Sequence, residues 1–163
     1  MKNFKSFLPV FATVLIINTI SAQWNSNPAI NTPVSVVLAS DQKTVNIITD
    51  TKAGAIISWT DTRTNGLGDV YAQRLNSAGL PMWAANGLSI CNDANDQSGT
   101  AMTEDGTGGA ILVWNDYRNG LSDIYAQRVD SSGNVLWSVN GVAVVNKANS
   151  QKGPKVLGDG LGG

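Results

Sequence analysis

With 163 residues, 14% of them charged and no histidine among them, the chain lacks the side chain on which Ser-His-Asp, Cys-His and histidine-ligated metal sites depend, so these are excluded within it. Eleven Lys and Arg against twelve Asp and Glu give a net charge of −1, which supplies no electrostatic reason to bind nucleic acid or an anionic membrane. The single cysteine, Cys91, rules out an intrachain disulfide.

The first stretch reads as an export signal. Lys2 and Lys5 give a positive start, residues 7–17 an apolar centre, and Ile20-Ser21-Ala22 a small-residue cleavage site. Residues 1–22 are therefore expected to be removed, leaving a chain of 141 that begins at Gln23 and carries a net charge of −3, because both lost charges are lysines. No later stretch approaches the roughly 18 apolar residues of a membrane span, so a secreted or cell-surface location is expected. Residues 23–38 form an irregular segment with turns at Asn27-Pro28 and Asn31-Thr32-Pro33, closing on the apolar run Val34-Ser35-Val36-Val37-Leu38.

From there the chain repeats itself. Gly54-Ala55-Ile56-Ile57-Ser58-Trp59-Thr60-Asp61-Thr62-Arg63 returns as Gly109-Ala110-Ile111-Leu112-Val113-Trp114-Asn115-Asp116-Tyr117-Arg118, at a spacing of 55. Asp69-Val70-Tyr71-Ala72-Gln73-Arg74 returns as Asp123-Ile124-Tyr125-Ala126-Gln127-Arg128, and Gly79 and Trp83 as Gly133 and Trp137, at a spacing of 54. The one-residue difference falls in the Gly- and Asn-rich stretch after Arg63, where a loop absorbs it cheaply. Repeats span residues 39–91 and 92–145, and a third starts over 146–163.

Within a repeat the signals are those of strands. Residues 110–114 are a short apolar run between a glycine and a polar loop, and residues 123–129 alternate faces. The Asp130-Ser131-Ser132-Gly133 turn predicts a hairpin with residues 135–137, and residues 100–103 and 154–157 are further strand candidates. About four antiparallel strands per period of this length is the make-up of one β-propeller blade. The expected fold is all-β, an incomplete propeller of about two and a half repeats. Propellers have about four blades or more, so the sequence is expected to be the N-terminal part of a longer protein; a stop codon directly after Gly163 would refute this. The run at residues 34–38 takes the place of an outermost strand without a blade of its own, which a ring could use to close.

The pattern Gly-Ala-Ile-x-x-Trp-x-Asp-x-Arg, then Asp-Ile/Val-Tyr-Ala-Gln-Arg, then Gly-x-x-x-Trp, resembles the tandem repeats of large secreted bacterial surface proteins. It covers nearly all of the chain after about Ala39. The resemblance implies propeller blades and export by the type IX route, and it carries no catalytic residues to transfer.

Repetition also bears on chemistry, since a catalytic site normally occurs once in a ring. Trp59, Asp61, Arg63, Arg74, Trp83 and their counterparts Trp114, Asp116, Arg118, Arg128, Trp137 are therefore read as scaffold. Asp61, Asp69, Asp116 and Asp123 are the candidates for calcium ligation, which would draw on several oxygens, but pairing of Asp61 and Asp116 with arginines or loop amides is the stronger reading. Arg74 and Arg128, on strands covered from both sides, each need a carboxylate, and Asp61 and Asp116 are the nearest repeated acids. Gln73 and Gln127 should be satisfied by backbone groups. Cys91, whose counterpart is Val145, reads as a small core residue, and Tyr117, which does not repeat, as a surface contact. No cofactor is called for. The function expected is a non-catalytic binding or structural module whose partners are a protein or glycan and the rest of its own chain. The alternative is the propeller part of a secreted hydrolase, glycan- or peptide-cleaving, with its catalytic residues elsewhere.

Overall fold

A computed structural model of the chain describes residues 27, 29, 32–37 and 39–161. The expected export signal, Trp24, Leu38 and the closing pair Gly162-Gly163 lie outside them. The described residues hold two four-stranded antiparallel sheets and no helix. The first sheet is ordered β1 (Gln42–Thr49), β2 (Ala55–Asp61), β3 (Asp69–Leu75), β4 (Leu88–Cys91); the second is ordered β5 (Gln97–Glu104), β6 (Ala110–Asn119), β7 (Leu121–Val129), β8 (Val142–Val145).

The two sheets are built alike. Trp59 stands opposite Tyr71 and Asp61 opposite Asp69 in β2/β3, as Trp114 stands opposite Tyr125 and Asp116 opposite Asp123 in β6/β7. Because side chains alternate along a strand, one face of the first sheet carries Ile57, Trp59 and Tyr71 and the other Ile56, Val70 and Ala72. The second face packs onto the second sheet, where Leu112, Trp114, Tyr125 and Val129 complete one buried cluster with Trp83, Ile90 and Cys91. Residues 110–114 of β6 are all buried, which explains why this run is apolar throughout instead of alternating.

Three elements depart from the sequence reading: residues 34–37, read as an outermost strand, and residues 135–137 and 154–157 pair in no ladder. Residues 135–137 form no strand: a single bridge joins Val129 to Val135, and the neighbour of β7 is β8. Residues 154–157 run beside the second sheet, between the bonds of Gly153 to Asn115 and of Gly158 to Thr103, without pairing in a ladder. The loops after Asp61 and Asp116 also differ. β6 continues to Asn119 and pairs it with Leu121, whereas the extra residue after Asp61 curls the chain so that Gly66 N–H donates to Thr62 O at 3.1 Å.

Both ends of the described chain lie on these sheets in a patterned way. Gln151 N–H donates to Ser122 O at 2.6 Å, as Gln97 N–H does to Gly68 O at 2.6 Å. Gly153 has a φ of 68° and Gly99, 54 residues earlier in β5, a φ of 61°. At the other end, Arg63 Nη2 donates to Ser35 Oγ at 3.3 Å, where Arg118 Nη2 donates to Cys91 Sγ at 3.4 Å. Val36 N–H meets Asn86 Oδ1, as Asn92 N–H meets Asn140 Oδ1. The segment 32–37 thus lies on the first sheet as the end of β4 lies on the second, and 151–158 lies on the second sheet as β5 lies on the first.

Candidate functional site

The repeated Trp-x-Asp-x-Arg strand ends build one cluster per sheet. In the first, Asp61 Oδ2 accepts Trp59 Nε1–H at 2.9 Å, an Arg63 guanidinium N–H, and Gln42 Nε2–H at 3.3 Å; Oδ1 accepts the Arg63 backbone N–H. The Arg63 guanidinium lies 4.1 Å over the Tyr71 ring, a cation–π contact, and donates to Asn86 O. In the second, Asp116 accepts Trp114 Nε1–H at 2.8 Å and both Nε–H and Nη2–H of Arg118, which lies 3.9 Å over Tyr125. Burial alone would raise the Asp61 carboxyl, but the donors from Arg63 and Trp59 outweigh it and hold its pKa at about 2. The same balance lowers Asp116. Each carboxylate is committed to the scaffold that surrounds it.

A second pair of ion pairs holds the strand arginines, and here the acids differ from those the sequence suggested. Arg74 pairs with Asp50 at 2.8 Å and Arg128 with Asp105 at 3.2 Å, while Asp61 and Asp116 pair with Arg63 and Arg118. The reason is the register. Arg74 stands opposite Ile56, beside the β1–β2 turn, where Asp50 Oδ1 already accepts the N–H of Lys52 and of Gly54. Asp105 caps its own turn through Thr107 and Gly109. Both acids open an Asp-x-x-x-Gly turn, Asp50 to Gly54 and Asp105 to Gly109, and that shared spacing was the available signal. The glutamines behave as expected: Gln73 donates to Ala84 O and accepts Trp83 N–H, and Gln127 donates to Ser138 O and accepts Trp137 N–H.

The four calcium candidates are brought together as two opposed pairs, Asp61 with Asp69 and Asp116 with Asp123. They are not alike. Asp123 accepts Asn119 Nδ2–H at 2.9 Å, whereas Asp69 is fully buried and neither of its oxygens makes a hydrogen bond. Burial raises the Asp69 carboxyl; the Thr64 hydroxyl lowers it without reaching hydrogen-bond geometry, and the Asp61 charge adds to the rise. Among the described residues no three Cys, Asp or Glu side chains gather in a way that could hold a metal ion. Cys91 is buried, which pushes its thiol up to about 12, a value at which it is protonated and unreactive. Tyr117 sits half-buried, with Lys152 Nζ 5.8 Å over its ring.

A groove of about 230 Å³ lies on the outer face of the first sheet, lined by Val34, Ser35, Gln42, Val45, Ile57 and Trp59. It contains no titratable group and offers apolar surface with a hydroxyl and an amide at its edge, which suits packing more than chemistry. No family model, curated protein or solved structure matches the chain.

Proposed function

We propose that the two sheets are neighbouring blades of a β-propeller, in a non-catalytic binding or structural module of a secreted or cell-surface protein. Its partners on this reading are a protein or glycan and further repeats of its own chain. One observation carries it: segment 32–37 and segment 151–158 occupy, at the two open faces, the places that β4 and β5 occupy at the covered one. A stack that takes up the same partner at each face is a stack meant to continue, and a ring is how such a stack ends without open edges. The Asp-Arg-Trp clusters support the non-catalytic part of the reading, since their carboxylates are spent on structure.

The test is imaging of particles of the protein expressed from its whole reading frame. Rings with a central channel are expected; straight or curved rods of stacked sheets would overturn the propeller. Sequencing the N-terminus of the exported protein checks the location, with Gln23 the expected first residue.

A further inference from the structure

Where the sheets meet, one contact is made by three residues of defined chemistry. Trp83 Nε1–H and Arg74 Nη1–H both donate to the carbonyl oxygen of Ser131, at 3.2 Å and 2.9 Å. The Trp83 ring lies on Gly133, where a Cβ would come within 2.8 Å of Cδ1. The turn that offers this surface is rigid: Gly133 N–H donates to Asp130 O at 3.0 Å, Asp130 Oδ1 accepts the N–H of Ser132 and of Asn134, and Gly133 has a φ of 90°. Glycine is required twice over there, by the positive φ and by the indole.

The second sheet carries the same two donors 54 residues on. Arg128 is held by Asp105 as Arg74 is held by Asp50, but Trp137 is 38% exposed against 9% for Trp83. Among the described residues no acceptor reaches Trp137 Nε1–H or Arg128 Nη1–H. Leu136 and, in β8, Val142, Val144 and Val145 are exposed as well.

We propose that Trp137 and Arg128 form a receptor for an Asx-Ser-x-Gly turn of a further copy of this repeat, with the serine carbonyl between the two donors and the glycine beneath the indole. Both turns of that type in the chain, Asn76-Ser77-Ala78-Gly79 and Asp130-Ser131-Ser132-Gly133, keep serine second and glycine fourth. The occupant is a further repeat and not a second copy of the chain for two reasons. Segment 151–158 already lies where β1 of a second copy would have to go, and the Asp130–Gly133 turn of any copy is already covered by its own Trp83. The inference rests on the stacked-blade reading and names the residues by which one blade selects the next.

The experiment lengthens the chain: residues 108–161 are added again after Leu161, in register, and Trp137 is followed by fluorine NMR of 5-fluorotryptophan, assigned with Trp137→Phe. Exposure of Trp137 should fall about fourfold, from its 38% to the 9% of Trp83. Gly133→Val in the added copy alone should return it to the exposed position. A further variant guards against misfolding of that one: Trp137→Phe, which keeps a ring and loses the N–H, should lower the unfolding midpoint of the lengthened chain and leave that of the original unchanged. If Trp137 is buried whichever residue stands at the added glycine, turn recognition is wrong while stacking stands. If the added sheet folds and Trp137 stays exposed throughout, stacking fails and takes this inference with it. Concentration-dependent protection of Trp137 in the original chain would make the occupant a second copy and overturn the proposal.

Discussion

The same strands meet two different fates in this molecule. On the face of the first sheet that looks toward the second, Trp83 is 9% and Ile90 2% exposed; on the matching face of the second sheet their counterparts Trp137 and Val144 are 38% and 58% exposed. The residue types are nearly unchanged and the registers agree. What differs is whether a neighbouring sheet is present, so apolarity on these strands is specified by the stack and not by the single sheet. The opposite faces show the same contrast in reverse: Val45 and Ile47 of β1 are exposed, while their counterparts Thr100 and Met102 in β5 pack at the covered interface.

The sharpest way to break this comparison is to remove the tryptophans one at a time. Trp83→Ala is expected to cost about 3–5 kcal/mol, the range for a buried aromatic, whereas Trp137→Ala should cost under about 1 kcal/mol, as exposed positions do. Denaturant midpoints measure both, and equal losses would erase the distinction. Next in size come the strand arginines. Arg74→Ala leaves Asp50 buried and unpaired, at a cost of roughly 3 kcal/mol; Arg128, whose side chain is 28% exposed, should cost about 1 kcal/mol in the same assay.

A smaller effect, opposite in sign, separates Asp69 from Asp123. Asp69→Asn removes a buried carboxyl that has no donor and should stabilise the protein at neutral pH by about 1 kcal/mol. Asp123→Asn should not, because Asn119 already donates to that carboxylate. The pH dependence sharpens the point. Asp50, Asp61, Asp105 and Asp116 are lowered in the folded state, so their stabilisation is present above the ordinary carboxylate range and is lost as pH falls, for Asp61 down to about 2. Asp69 is raised, so its contribution is present in acid and is lost as pH rises through its folded value. Thermal midpoints of Asp69→Asn should therefore exceed those of the wild type at neutral pH, and the gap should close in acid. A constant gap would remove titration as the cause.

Much of the scaffold could be read from residue order alone, and the failures have a common cause. Alternation and apolar runs located β2, β3, β6 and β7, because those signals are local. That Arg74 and Arg128 need carboxylates followed from the cost of burying a guanidinium. Which carboxylates they use did not, because nearness in sequence says nothing about register. Asp61 is spoken for by the indole and arginine two residues to either side, and Asp50 reaches Arg74 only once β1 and β3 flank β2. At Val135 an apolar run yields a single bridge to Val129 instead of a strand. Its apolar residues Val135, Leu136 and Trp137 are exposed beyond that one bridge and form no ladder. The lone status of Asp69 was invisible, since it turns on one inserted loop residue that keeps the chain after Asp61 from pairing as it does at Asn119.

The placement of segment 151–158 bears on the order in which such a chain would fold. The second sheet holds this segment through Ser122, Asn115 and Thr103 with no further strand beside it among the described residues. Growth can then proceed in one direction from the end that emerges first, every addition meeting a surface already in order and closing only short loops. On the proposed reading, a stack that grows this way meets a distant partner only where its last layer would join residues 32–37.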